Sequence, residues 1–218
     1  ATGNGSLVDN GNGTWTYTPA LNDDTSVVFS YEVSDASLIP VSTIATMDIT
    51  PVNDAPITTP VTLASIAEDS GARLITQAEL LANASDVEGD SLTASGLTIA
   101  TGNGSLVDNG NGTWSYTPAL NDDTQVSFNY SIADGNGGSV AGSANLDITP
   151  VNDLPIVPPL GINLAPIAED SGARLITQAE LLATIVDPDG DPITASNLAI
   201  ATGNGSLVDN GNGTWTYT

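Results

Sequence analysis

Between positions 126 and 132 every second side chain is apolar: Val126, Phe128, Tyr130 and Ile132, separated by Ser127, Asn129 and Ser131. A period of two predicts a β-strand with one buried face. Ala144, Leu146 and Ile148 alternate in the same way until Pro150, which ends the strand. Leu106-Val107 and Trp114-Ser115-Tyr116 flank Asp108-Asn109-Gly110-Asn111-Gly112. Asn and Gly accept positive φ at low cost, so this stretch predicts a β-hairpin. One segment departs from the β pattern. Thr76-Gln77-Ala78-Glu79-Leu80 places a Thr three residues before a Glu, the reciprocal cap that opens a helix, and Thr177 to Glu180 repeats it.

The pattern also recurs at long range. Residues 1–18 return unchanged at 201–218 and, with Ser115 for Thr16, at 100–117. Trp15 and Trp114 lie 99 positions apart, Glu68 and Glu169 lie 101 apart. Such a period is too long for a helical solenoid and fits a small β-sandwich. The expected fold is all-β: tandem β-sandwich repeats with one short helix per repeat. The expected division is the C-terminal part of a first repeat at 1–56, a complete repeat at 57–155, and the N-terminal part of a third at 156–218. Trp114, Tyr116, Phe128 and Tyr130 are expected in the core. Val27, Phe29, Tyr31, Val33, Met47 and Ile49 are expected to do the same in the first repeat. The chain begins and ends inside a repeat, as a window on a longer array would.

Composition narrows the partners. The 218 residues include 26 acids, two arginines (Arg73 and Arg174), no lysine and no histidine, for a net charge of −24. Nucleic acid and anionic membrane surfaces need Lys and Arg, so neither is expected as a partner; cations are. No apolar run reaches 18 residues, so no direct membrane insertion is expected. There is no cysteine, hence no disulfide. Without His, Cys or Lys the usual bases and nucleophiles are missing. Carboxylate pairs serve glycosidases, but near-identical active sites at every joint are not expected, so the chain reads as no enzyme.

The acids are clustered. Asp187-Pro188-Asp189-Gly190-Asp191 is matched by Asp86-Val87-Glu88-Gly89-Asp90. Carboxylates this close repel one another unless a cation lies among them. Oxygen ligands without His or Cys favour calcium. The loop is not an EF-hand, because its twelfth position holds Leu97 or Leu198 where that loop needs Glu. Glu68-Asp69, Asp122-Asp123 and Asp134 add acids elsewhere. Pro51-Val52-Asn53-Asp54-Ala55-Pro56 and Pro150-Val151-Asn152-Asp153-Leu154-Pro155 join the repeats. Two prolines bracket each Asn-Asp pair, so these linkers read as stiff and extended.

On these residues, and above all on Pro-Val-Asn-Asp-Ala-Pro, the whole chain resembles the bacterial cadherin-like tandem repeats of giant calcium-dependent surface adhesins, including the RTX type. The resemblance implies cadherin- or immunoglobulin-like sandwiches with Ca2+ where a linker, the acids of the repeat above and the Asp-x-Asp of the repeat below meet. Carried over by position, it implies one joint built from Asp23, Asp24, Asn53, Asp54, Asp86, Glu88, Asp90 and Asp134. The next would use Glu68, Asp69, Asp122, Asp123, Asn152, Asp153, Asp187, Asp189 and Asp191. Three departures stand out. Asn121-Asp122-Asp123 matches the acidic triplet of cadherins only roughly. Glu88 replaces Asp189, and Asp35-Ala36-Ser37-Leu38 replaces Asp134-Gly135-Asn136-Gly137, a Gly-rich turn without the nonapeptide pattern of a β-roll.

The function implied is a calcium-stiffened spacer of a long extracellular bacterial adhesin, in cell adhesion or biofilm. Its partners would be calcium ions and neighbouring repeats of the same or identical chains, at the cell surface or in a secreted matrix. Two other readings stay open. One is a matrix fibre whose chains complete each other's split repeats end to end. The other is a carbohydrate- or protein-binding module, with Trp15, Trp114 and Trp215 as stacking faces.

Overall fold

The computed structural model describes residues 3–35 and 39–218, so the comparison of Ala36-Ser37-Leu38 with the central turn lies outside the described residues. Strands β1 (Gly5–Asp9) and β2 (Trp15–Pro19) form an antiparallel hairpin, and β3 (Val27–Val33) pairs antiparallel with β4 (Val41–Met47). The central segment then adds β5 (Val61–Ala67), β6 (Arg73–Thr76), helix α1 (Gln77–Leu80), β7 (Thr93–Thr101), β8 (Ser105–Asp108), β9 (Thr113–Thr117), β10 (Val126–Ala133) and β11 (Ser139–Thr149). These strands form two sheets, ordered β5-β11-β10-β7 and β6-β9-β8. β5 runs parallel to β11, and the other pairs are antiparallel.

One core lies between the two sheets. Val126, Phe128, Tyr130 and Ile132 are buried while Asn129 and Ser131 face solvent, as the period of two predicts. Val61, Leu146 and Ile148 join them from the same sheet, Ile75, Trp114 and Tyr116 come from the other, and Leu80 closes the end from α1. Burial of each large side chain contributes about 1.5–3 kcal/mol. The predicted capping box forms at Thr76 and Glu79. The Tyr130 hydroxyl donates to the Leu80 carbonyl at 2.7 Å, so a carbonyl at the helix end is satisfied from β10.

The C-terminal segment repeats the smaller sheet. β12 (Arg174–Thr177), α2 (Gln178–Leu181), β13 (Leu207–Asp209) and β14 (Thr214–Tyr217) follow the order β12-β14-β13. Its helix carries the same cap at Thr177 and Glu180. In all three hairpins a tyrosine hydroxyl donates to an asparagine carbonyl: Tyr17 to Asn4, Tyr116 to Asn103 at 2.5 Å, and Tyr217 to Asn204 at 2.6 Å. A Cβ on Gly104, whose φ is +119°, would lie 2.5 Å from the Thr117 carbonyl oxygen, so this approach requires glycine.

The first segment corrects part of the expected core. Val27 is buried, and Phe29 packs edge-on against Tyr17 at 5.3 Å, as Phe128 does against Tyr116. Tyr31, Val33 and Met47, however, are exposed, and Trp15 is 62% exposed where Trp114 and Trp215 are 3%. Among the described residues, those up to position 56 hold counterparts of β8 to β11 only. The β6–α1 half that covers Trp114 has its counterpart over Trp215 in β12–α2 and none over Trp15. Local sequence sets the hairpin; burial depends on the opposing half.

Candidate metal centre at the joints

Each linker is fastened beside the acidic loop that follows it. Ile57 and Ser85 exchange backbone hydrogen bonds of 2.9 Å, and Ile156 and Val186 exchange bonds of 2.7 and 3.4 Å. These bridges bring Asn53-Asp54 against Asp86 to Asp90, and Asn152-Asp153 against Asp187 to Asp191.

The two acidic loops fold alike. Asp86 Oδ1 accepts from the N–H groups of Glu88 (3.0 Å) and Asp90 (3.2 Å), and Asp187 Oδ1 accepts from those of Asp189 (3.1 Å) and Asp191 (3.2 Å). The first acid thereby turns the loop, which leaves its Oδ2 and the following carboxylates for the linker. The Asp54 N–H donates to Glu88 Oε2 at 3.2 Å, and the Asp153 N–H to Asp189 Oδ2 at 2.7 Å. Glu88 thus makes the contact that Asp189 makes, with a longer arm. Asn53 and Asn152 each donate Nδ2 to the carbonyl of the following Asp, at 3.1 and 2.9 Å.

At the second joint a third element arrives. Glu68, just after β5, is buried, and its Oε1 accepts from the Val151 N–H at 2.8 Å. Carboxylate oxygens of Glu68, Asp153 and Asp189 lie within 4.8 Å of one another, as do those of Asp187, Asp189 and Asp191. Among the described residues, Asp153 Oδ2 is buried without a hydrogen-bond partner, and so is Asp86 Oδ2 at the first joint. Loss of water raises the Asp153 carboxyl above its ordinary range, and the charges of Asp69, Asp189 and Asp187 add to the shift. Asp69 is anchored on the 119–123 loop, where its Oδ1 accepts from the Asn121 N–H at 3.1 Å.

The first joint has a different third element. Asp134 is buried; its Oδ1 accepts from the N–H groups of Asn136 (2.7 Å) and Gly138 (3.0 Å). Its Oδ2 accepts from Asn53 Nδ2 at 2.8 Å. The Asn53 bond and the backbone donors together outweigh burial and hold this carboxyl below its ordinary range. Asn136 Nδ2 donates to Asp90 Oδ2 at 2.6 Å, closing the cluster. Asn136 was not among the predicted residues. Its signal was an amide inside the Gly-rich turn that follows Asp134.

Other predicted residues are engaged elsewhere. Asp122 Oδ1 accepts from the N–H and hydroxyl of Thr124, and its Oδ2 accepts from Asn103 Nδ2. Asp23 holds Thr25 in the same way. Asp23 and Asp24 share a groove with Val52, Asp54, Val87 and Glu88, while Asp123 is exposed beside the turn.

The donors at both joints are oxygen alone, and each joint holds an orphaned buried carboxylate oxygen. An isolated carboxylate is costly to bury unless it is paired or bound to a metal. A hard cation fits this donor set.

The chain belongs to the cadherin-like domain family, whose pattern it matches over residues 1–50, 52–149 and 151–218. Among solved structures, it is 14% identical to protocadherin gamma B2 extracellular cadherin domains 1–5, covering 97% of this chain and 43% of that one at a TM-score of 0.48. The human desmocollin-1 ectodomain is likewise 14% identical, with 99% and 43% covered at a TM-score of 0.40. An endo-fucoidan hydrolase of glycoside hydrolase family 107 is 19% identical over 97% of this chain, with a TM-score of 0.33. The chain spans 32% of that hydrolase. No curated protein matches. Among the described residues, no helix is long and apolar enough to cross a membrane.

Proposed function

We propose that the chain is a calcium-stiffened spacer from an extracellular bacterial adhesin, divided into part of a repeat at 1–56, a whole repeat at 57–155 and part of another at 156–218. One observation carries this reading. Glu68 before the linker, Asp153 within it and Asp189 after it converge to within 4.8 Å. Asp153, Asp187, Asp189, Asp191 and Glu68 would hold Ca2+ at the second joint, with Asp69 beside them. Asp54, Asp86, Glu88, Asp90 and Asp134 would do so at the first, and backbone carbonyls and water would supply further oxygens. A bound cation would offset the mutual repulsion of these acids. The protein's own contribution is to position them: the bridges at Ile57 and Ile156 fix the linkers, and the turning acids Asp86 and Asp187 orient the loops. Ligands drawn from both sides of a linker restrict the hinge motion that a small interdomain interface otherwise permits.

We read the chain as non-catalytic, since it has no His, Cys or Lys. Small-angle scattering on the chain, with calcium and with chelator, tests the proposal. A maximum dimension that lengthens and sharpens with calcium is expected. An identical profile in both would remove stiffening as the mechanism and advance the ligand-binding reading.

A further inference from the structure

Each hairpin tip carries two Asn-Gly pairs in tandem, and the fold treats them oppositely. In the central tip Asn109 is pinned. Its Nδ2 donates to Thr113 Oγ1 at 3.0 Å and Ser115 Oγ at 3.1 Å, and its backbone N–H donates to the Thr113 carbonyl at 3.0 Å. The next N–H, that of Gly110, donates to Asp108 Oδ1 at 2.8 Å. Two residues on, the exposed Asn111 is different. Neither its Nδ2 nor the Gly112 N–H has a hydrogen-bond partner among the described residues. Its Oδ1 accepts twice, from the Thr113 N–H at 3.2 Å and from the Thr113 hydroxyl at 2.7 Å. The other tips repeat this. Asn12 Oδ1 accepts from Thr14 at 3.2 and 2.6 Å, and Asn212 Oδ1 from Thr214 at 3.2 and 2.7 Å. Gly11 and Gly211 are held by Asp9 and Asp209 at 2.9 and 2.8 Å.

We infer that Asn111, with Asn12 and Asn212, is a site of spontaneous deamidation, and that Thr113 promotes it. The backbone nitrogen of Gly112 attacks Cγ of Asn111 and loses its proton to water as the N–Cγ bond forms. Negative charge develops on Oδ1, where the Thr113 N–H and hydroxyl already donate; such preplaced donors lower the barrier to a tetrahedral oxyanion. The Cγ–Nδ2 bond then breaks, Nδ2 takes a proton from water, and ammonia leaves a succinimide. Water opens this ring at either carbonyl to aspartate or isoaspartate. No enzyme, oxidant or cofactor enters the balance. The glycine has no Cβ of its own to hinder the approach, and the side chain of Gln77 packs beside it, 3.0 Å from where a Cβ would stand. The same attack on Asn109 must first pull the Gly110 N–H from Asp108 and lift the amide from Thr113 and Ser115. Each event adds one carboxylate near Asp108, and the isoaspartate product lengthens the backbone of the turn.

The test is ageing of the 218-residue chain in mildly alkaline buffer, read by peptide mass spectrometry that separates aspartate from isoaspartate. Conversion at Asn111 should outrun that at Asn109 in the folded chain, and the two should converge in denaturant. Thr113→Val should slow Asn111 roughly five- to tenfold, the effect of one hydrogen bond on a barrier, and Thr113→Ser should keep the rate. Asp108→Ala, which frees the Gly110 N–H, should raise conversion at Asn109. Equal rates at Asn109 and Asn111 in the folded chain, or an unchanged rate in Thr113→Val, would overturn the inference.

Discussion

Asn53 in the first linker donates its Nδ2 to Asp134 Oδ2 at 2.8 Å, joining residues 81 positions apart. Gly138 makes room for this bond. A Cβ there would lie 2.1 Å from Asp134 Oδ2 and 2.8 Å from the Ala55 Cα. Gly138→Ala must therefore move either the buried carboxylate or the linker. We expect a loss of roughly 1–3 kcal/mol, read as a lower melting midpoint, with the aromatic circular dichroism of the core preserved. An unchanged midpoint would show that the linker is not held at this point.

The helix cap predicts a response to acid. Partial burial raises the Glu79 carboxyl, but the Thr76 N–H and hydroxyl and the Arg73 guanidinium, 2.7 Å away, outweigh it and hold the group below its ordinary value. A folded pKa below the unfolded one gives stability that is present above the unfolded value and lost as pH falls through the folded value. Glu79→Gln keeps the shape of the cap without its charge. It should cost about 0.5–1 kcal/mol at neutral pH, and the difference from the parent chain should close as the pH drops below the ordinary carboxylate range. A constant difference across pH would assign the loss to packing instead.

Alternation and capping were legible because strands and helix starts obey local rules: every buried position of β10 follows from the period of two, and Thr76 and Glu79 cap as spaced. The exposure of Trp15 follows from the division into part-repeats, since 1–56 lacks the early strands, and not from the eighteen matching residues, which set the hairpin alone. That each linker lies against the acidic loop after it was legible from their fixed order. Which oxygens remain available was not, since it depends on tertiary partners such as Asn103 and Thr124 for Asp122. Nor was Asn136, whose contact with Asp90 spans 46 positions.

Asp122 separates turn-holding from cation-holding. Both of its oxygens are taken by Thr124 and Asn103, whereas Glu68 is buried against the linker with Asp153 and Asp189 in reach. Asp122→Ala should lower the melting midpoint slightly, through the loss of the Thr124 and Asn103 contacts, and leave the midpoint of a calcium titration unchanged. Glu68→Gln should shift that titration to higher calcium. If Asp122→Ala shifts it as far as Glu68→Gln does, the acid before Thr124 is a ligand as well as a turn lock.

Asp153 gives the sharpest test, because its substitution should change sign with calcium. Without a cation, its half-buried carboxylate has lost part of its water and lies near the charges of Asp69, Asp189 and Asp187, while Oδ2 is buried with no partner among the described residues. Asp153→Asn removes one of the repelling charges, so in chelator the variant should melt above the parent chain. With calcium the order should reverse. A cation bound only to the folded state stabilises it by about 2.7 kcal/mol at a hundredfold excess over Kd. An amide oxygen is a poorer ligand than a carboxylate for a hard cation, and a tenfold weaker site would forfeit about 1.4 kcal/mol of that gain. Melting both chains in chelator and in calcium gives four midpoints, and the crossing is the signature of a carboxylate retained for a cation. If Asp153→Asn melts lower in both conditions, the carboxylate is held by the protein itself, and the joint must be stiffened by its prolines and linker hydrogen bonds rather than by an ion.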